Sequence, residues 1–309
     1  MRILITGPTS FSGAYFIEAL NRSGHHICTT FTKSSIEDYN GTRLVRAQKA
    51  LKHADAHFGI SFGTDEFLDL IKNERIDIFC HHGAWTTKYN SMDYDFQSAY
   101  QNNTRSMMEV CEALSQSGCR GIILSASIFE GGIQGCKAFS PHGLVKQLTS
   151  ETTAFYGKHF GMHVSRFVIP NPFGALDNPK LIDYLCQEWY AARVPTIQTP
   201  LYVRDNIHVE LMAKGFVHWV ENMPTAVGDS TFSPAGYISN MGDFVGIVAT
   251  EMRKRLRLEC VYELKTQTDF SQPMVLVNDT PLNDIFTDWD PSDAWDALAE
   301  HQIHLQSLR

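Results

Sequence analysis

The sequence predicts an α/β protein built on a doubly wound parallel sheet, followed by a smaller C-terminal portion. Three observations carry the prediction. Short apolar runs alternate with amphipathic stretches from Ile3 to Ile169, the order that builds βα units on a parallel sheet. The first run, Ile3-Leu4-Ile5, passes at once into Thr6-Gly7-Pro8-Thr9-Ser10-Phe11-Ser12-Gly13 and then a helical stretch. The alternation stops at Pro170, and prolines recur at Pro179, Pro195 and Pro200, a composition shift that marks a second portion.

The opening turn sets the rest in order. A strand, a glycine turn and a helix N-terminus together form an anion site, because free N–H groups and the positive end of the helix dipole face one place. Small residues at Gly7, Ser10 and Gly13 let backbone come close to a pyrophosphate. The middle glycine of a G-x-x-G-x-x-G pattern is here Ser10. Thr9 and Phe11 lie in the same turn and are expected to touch the phosphates. The turn therefore predicts a dinucleotide site, on a Rossmann-type fold.

Ile27 to Phe31 reads as the second strand, and its end selects the dinucleotide. An acid there would bind a ribose 2′-OH, and a basic residue would accept a 2′-phosphate. The residues are Thr32-Lys33-Ser34-Ser35, with no acid before Glu37, which favours NADP over NAD. Residues 40–60 carry Arg43, Arg46, Lys49 and Lys52 near helical spacing and read as a solvated helical face. Asp65 to Asn73 reads as a helix.

Ile76 to Ala84 reads as a strand that ends in the small residues Gly83 and Ala84, over which a dinucleotide could lie. His81 and His82 are adjacent, so on a strand they point to opposite faces; a structural role fits them better than metal ligation. Phe96 to Gln116 reads as one helix with Asn103 in its middle, expected to hydrogen-bond a backbone group. Gly121 to Leu124 is the next buried strand and ends in Ser125-Ala126-Ser127. Pro141 opens a helix through about Lys158, in which His142 and Lys146 share a face. Active sites of such sheets lie beyond the strand C-termini, where Ser127 and the His142 helix both fall.

Composition narrows the partners. The net charge of −8 argues against nucleic acid and anionic membrane surfaces. Seven cysteines without C-x-x-C spacing suggest neither a zinc site nor a disulfide framework, as expected of a reducing cytoplasm. No apolar run is long enough to span a membrane, and the first residues read as a strand rather than a leader. The expected division is 1–170 with a return segment around 203–230, against 171–202 and 231–309.

These pieces together resemble the extended short-chain dehydrogenase/reductase family, the NAD(P)-dependent sugar-nucleotide epimerases, dehydratases and reductases. The Thr6-Gly7 to Gly13 turn, His81-His82-Gly83-Ala84 (similar to H-x-A-A), Asn103, Ser125-Ala126-Ser127 and Pro170-Asn171-Pro172-Phe173-Gly174 carry the resemblance. So does Arg204-Asp205-Asn206-Ile207-His208-Val209, close to R-D-x-I-H-V. The resemblance implies a substrate-binding C-terminal portion with Asn171 and Arg204 on the substrate and Ser127 holding the reacting oxygen. It also implies Lys146 on the nicotinamide ribose, and a homodimer formed through the 96–116 and 143–158 helices.

One departure matters. The family's Y-x-x-x-K reads His142-Gly143-Leu144-Val145-Lys146, and no tyrosine elsewhere has a lysine four residues on. A neutral imidazole can replace the phenol as base, and a nearby lysine cation would keep it neutral. Ser127 is followed by Ile128-Phe129-Glu130 with no adjacent acid pair, which disfavours a dehydratase. The expectation is thus an NAD(P)-linked epimerase or reductase on a nucleotide-activated sugar; the alternative is a dinucleotide-binding relative that has lost the chemistry.

Overall fold

The computed structural model describes residues 1–131 and 137–308. In chain order the principal elements are β1 (Arg2–Thr6), α1 (Phe11–Arg22), β2 (His26–Phe31), α2 (Gly41–Leu51), β3 (Asp55–Phe58), α3 (Asp65–Asn73), β4 (Ile78–His81), α4 (Phe96–Thr104), α5 (Met107–Gln116), β5 (Gly121–Ser127), α6 (Pro141–His159) and β6 (His163–Ile169). There follow β7 (Asn171–Phe173), α7 (Leu181–Tyr190), β8 (Thr196–Ile197), β9 (Val203–His208), α8 (Val209–Asn222) and β10 (Gly228–Phe232). The chain divides into two units, residues 1–169 with 213–233, and residues 170–212 with 234–309.

The first unit holds a seven-stranded sheet in the order β10-β6-β5-β4-β1-β2-β3. Every pairing in it is parallel, so this is the predicted doubly wound Rossmann-type α/β sheet. The order reverses between β1 and β4, and a crevice at such a switch point is where ligands bind. Leu4, Phe79, Ile122 and Leu124 pack with Val110, Cys111 and Leu114 of α5 in one buried cluster. Phe16 of α1 stacks on Phe216 at 4.1 Å and meets Phe167 edge-on. Central strands buried on both faces explain why they read as unbroken apolar runs.

In the second unit β9 pairs with β7 and with the segments 237–240 and 275–276. Phe173, Leu185, Trp189, Phe244 and Trp295 are among its buried core. Among the described residues no helix is long and apolar enough to cross a membrane, and six cysteines are free and buried.

Three expectations are corrected. The 96–116 helix is broken: α4 ends at Thr104, and Ser106 takes the left-handed conformation at φ 49° before α5 begins. The break turns the Asn103 carbonyl out of the helix to accept from His81 Nε2 at 2.8 Å. It also presses the Arg105 carbonyl against Gly63, where a Cβ would lie 2.0 Å from that oxygen. Second, the basic helix is a solvated face only in part: Arg43 and Lys52 are exposed, and the other two are not. Arg46 is 3% exposed and its guanidinium lies over the Phe11 ring, while Lys49 lies over Tyr15 and pairs with Glu18. Long basic stems cover apolar surface this way while the charge finds a partner. Third, residues 55–58 form β3, whose mixed composition hides it; Phe58 stacks on Phe31 at 4.7 Å.

Candidate active site

The glycine turn is built against its own protein first. Gly7 has φ +78°, and a Cβ there would come within 2.9 Å of Gly83 Cα. A Cβ on Gly13 would lie 2.3 Å from the Gly7 carbonyl oxygen and 2.9 Å from His82 Cδ2. Close approach of the β4 end at Gly7, and of the turn's own carbonyl together with the His82 ring at Gly13, thus accounts for both glycines. Gly13→Ala sets a methyl against a backbone oxygen that cannot retreat. It is expected to lower stability by about 2–3 kcal/mol despite alanine's better helix propensity, measured by urea unfolding.

Ser10 caps α1 by accepting from Gly13 N. Its hydroxyl donates to Gly7 O at 2.9 Å and lies 2.8 Å from His82 Nε2. Since one hydroxyl carries one proton, Ser10 must accept from His82, which fixes the proton on Nε2. His82 Nδ1 then accepts from Ser125 Oγ at 2.6 Å. The backbone N–H groups of His82 and Gly83 donate to Thr6 Oγ1. Ala84, which follows, is partly exposed.

Around the next strand end, the Lys146 ammonium donates to the Ser125 carbonyl. Ser127 N donates to Glu130 Oε1 at 2.9 Å, and Ser150 Oγ donates to Glu130 Oε2 at 3.1 Å. Ser127 Oγ accepts from Phe129 N. Lys146 and Glu130 are both buried. Burial lowers the lysine's pKa and raises the carboxyl's, and the attraction between the two opposes each shift.

His142 is 8% exposed. Its ring meets Tyr89 and Tyr94 edge-on, with centroids 5.5 and 5.6 Å away. Nδ1 is buried without a hydrogen-bond partner among the described residues. Its pKa is lowered to about 4, first by burial and then by Lys146. The lysine named at the sequence level is therefore the smaller cause. The connection from Ser127 to His142 includes residues 132–136, which lie outside the described residues.

The remaining candidates are placed as follows. Asn103 is buried and its Oδ1 accepts from Trp85 N at 3.0 Å. His81 stacks on Phe62, and burial lowers its pKa to about 4. Thr32, Lys33 and Ser34 are exposed at the end of β2. Glu37 and Asp38 are turned onto Ser35, which caps a short 3₁₀ turn. In the second unit Asn171 pairs in register with Asn206. Arg204 lies over the Tyr202 ring at 4.5 Å and donates to the carbonyls of Val203, Pro273 and Met274 and to Gln272.

The structure thus gathers Gly7, Ser10, Gly13, Gly83, Ser125 and Lys146 into one connected network. Sequence reasoning missed two members. Glu130 carries no motif in the sequence, and only the fold brings its carboxylate to Ser127 N and Ser150 Oγ. His82, for which a structural role is expected, hydrogen-bonds Ser10, Ser12 and Ser125 and packs its ring edge beside Gly7 and Gly13.

A family model described as "NAD dependent epimerase/dehydratase family" matches residues 3–231. No curated protein matches the sequence. Among solved structures, the chain is similar to UDP-glucuronic acid 4-epimerase from Bacillus cereus, in complex with UDP-glucuronic acid and NAD. Identity is 18% over 99% of this chain and 100% of that one, with a TM-score of 0.73. UDP-N-acetylglucosamine 4-epimerase from Methanobrevibacter ruminantium, in complex with UDP-N-acetylmuramic acid, gives 14% identity over 100% and 99%, TM-score 0.73. UDP-glucose 4-epimerase from Bifidobacterium longum, in complex with NAD+ and UDP, gives 16% over 98% of each chain, TM-score 0.72.

Proposed function

The chain belongs to the NAD dependent epimerase/dehydratase family, and from that premise we propose that it is an NAD(P)-dependent epimerase or reductase acting on a nucleotide-activated sugar. The observation that carries the reading is the continuity of the network, from the Gly7–Gly13 turn through His82 and Ser125 to Lys146, at the C-terminal ends of β1, β4 and β5. His142 follows on the face of α6 that also carries Lys146.

The residues fit a pyridine dinucleotide. A turn with a left-handed glycine opens the twelve-residue helix α1, a natural anion site. Gly7, Thr9, Ser10, Phe11 and Gly13 would hold the phosphates. Gly83, Ala84, Ser125, His81 and Asn103 would line the sheet edge, and Lys146 would take the nicotinamide ribose. When bound, the dinucleotide supplies the hydride donor and acceptor.

The chain's own groups handle the proton. Ser127 Oγ accepts from Phe129 N, so its O–H is the group to hold the substrate oxygen. His142 is held neutral by burial, so it can take the carbinol proton. With Nδ1 walled in, Nε2 is the nitrogen that exchanges it. The neutral ring then carries its hydrogen on Nδ1 and accepts at Nε2; burial disfavours the cation so formed and makes it a ready acid on the return step. Asn171 and Arg204 are assigned to the substrate.

Incubation with NADPH and a panel of 4-keto nucleotide sugars tests the reading: cofactor oxidation with one member is expected, and binding without turnover across the panel would overturn it. At the end of β2, exposed Lys33 favours NADP by attraction to a 2′-phosphate, whereas two of the similar structures named above carry NAD. Lys33→Ala is expected to weaken NADP by ~5–10-fold, as for an exposed charged contact of about 1–1.4 kcal/mol, and to leave NAD unchanged. Titration calorimetry with both dinucleotides reads it, and equal effects on the two would remove the NADP preference. A homodimer through α4, α5 and α6 is proposed with the family, Phe155 of α6 being 66% exposed; sedimentation of a monomer would exclude it.

A further inference from the structure

One departure from the family pattern meets, in space, a residue at one of the pattern's variable places. Ser10 stands where the turn's middle glycine is expected, and His82 occupies the variable place of H-x-A-A. They are 72 residues apart in sequence and hydrogen-bonded at 2.8 Å. The His82 ring does more than touch Ser10. Nε2 also lies 3.2 Å from Ser12 Oγ, and Nδ1 takes the Ser125 hydroxyl. The ring edge fills the space beside Gly7 and Gly13, and Phe16 closes one side at 5.3 Å. The far end of this chain is the Ser125 carbonyl, which accepts the Lys146 ammonium. His82 is 8% exposed.

We propose that His82 is a positioning residue, which ties the phosphate-binding turn to the strand end holding Lys146, so that Ser10 and His82 set dinucleotide affinity as a pair. The inference rests on the turn being the dinucleotide site. Hydrogen-bond accounting gives its physical content. Ser10 Oγ gives its proton to Gly7 O and receives two N–H groups, from Gly13 and from His82. That saturates it, so the protein itself fixes the orientation of the hydroxyl. Ser12 Oγ is held from the same nitrogen. Removing the imidazole leaves the hydroxyls of Ser12 and Ser125 without the partner that orients them, in a buried place where an unmet polar group is costly. Removing Ser10 leaves the Nε2 proton with Ser12 alone at the longer distance. Either loss breaks the same bridge, so the second loss adds little.

A double-mutant cycle tests this by calorimetry with NADP and NAD. Ser10→Gly and His82→Leu are each expected to weaken the tighter dinucleotide by ~5–20-fold. The double variant is expected to be no weaker than the worse single one. Multiplicative effects, or an unaffected His82→Leu, would overturn the pairing while leaving the dinucleotide site intact. A wild-type protein that binds neither dinucleotide would instead overturn the reading of the turn, and the pairing with it. Should His82→Leu fail to fold, His82→Gln and His82→Asn decide. The longer amide can present an N–H to Ser10 and the shorter one reaches only Ser125. Affinity within ~2-fold of wild type is expected for Gln and the full loss for Asn, and equal affinities of the two would sink the proposal. Nitrogen-15 NMR of labelled histidine gives a readout free of binding: the resonance lost in His82→Gln is expected to be that of a neutral, Nε2-protonated ring.

Discussion

Replacing His142 with alanine is expected to lower kcat by ~10²-fold or more, the worth of a positioned acid–base group, while dinucleotide affinity stays within ~3-fold. The split follows from placement. The glycine turn and its hydrogen-bond chain through His82 do not include His142, whereas the ring lies on the same face of α6 as Lys146 and its buried Nδ1 has no hydrogen-bond partner among the described residues. The pH dependence separates imidazole from phenol. Burial holds the folded pKa near about 4, so the ring is a neutral base throughout the neutral range. The rate in the direction that takes up a proton should stay flat from pH 8 to pH 5 and fall only below that. His142→Tyr replaces it with a group that is neutral, and hence protonated, at low pH. Its alkaline pKa, drawn down by the neighbouring ammonium, should move the falling limb to higher pH. A His142→Ala enzyme with the wild-type rate would show that the proton travels by another route, and a flat profile in His142→Tyr would show that residue 142 does not carry it.

Acid should unfold this protein early. Burial lowers four histidines: His81 and His142 to about 4, His82 and His208 to about 3. An unfolded histidine titrates near 6.5. Above that pH the groups are neutral in both states and contribute nothing to the pH dependence. Below it the unfolded chain binds protons that the folded one refuses, so stability falls as pH falls, until the folded pKa values are reached. Each group contributes up to about 2 kcal/mol between pH 7 and pH 5 by this linkage. Asp205 acts in the opposite sense, because burial raises it to about 6 and the folded state takes its proton first; Glu130, also raised, acts with it. Four histidines outweigh two carboxyls, so the urea midpoint should drop clearly from pH 7 to pH 5. His208 is the cleanest probe. Both ring nitrogens lack hydrogen-bond partners among the described residues, within rings of Phe173, Tyr237 and Trp295. His208→Phe should therefore reduce the loss on acidification, leaving a variant more stable than wild type at pH 5. A midpoint unchanged between the two pH values would contradict the linkage.

The sequence by itself determined the alternation of strands and helices, the switch-point architecture and the family, because each rests on local signals. Apolar runs mark strands buried on both faces, glycines mark a left-handed or crowded turn, and R-D-x-I-H-V is a contiguous string. It also placed Ser127, His142 and Lys146 beyond the strand ends, since topology alone puts them there. Tertiary structure decided the rest. Arg46 reads as a surface charge until Phe11 covers it. The break after Thr104 has no proline or glycine to announce it; it goes with the bond between buried His81 and the Asn103 carbonyl, a contact across 22 residues. His82 carries no periodic signal, and only the return of β4 beside the glycine turn brings its two nitrogens to Ser10 and Ser125. Contacts between residues distant in sequence are made by packing, and local pattern cannot encode which pair will meet.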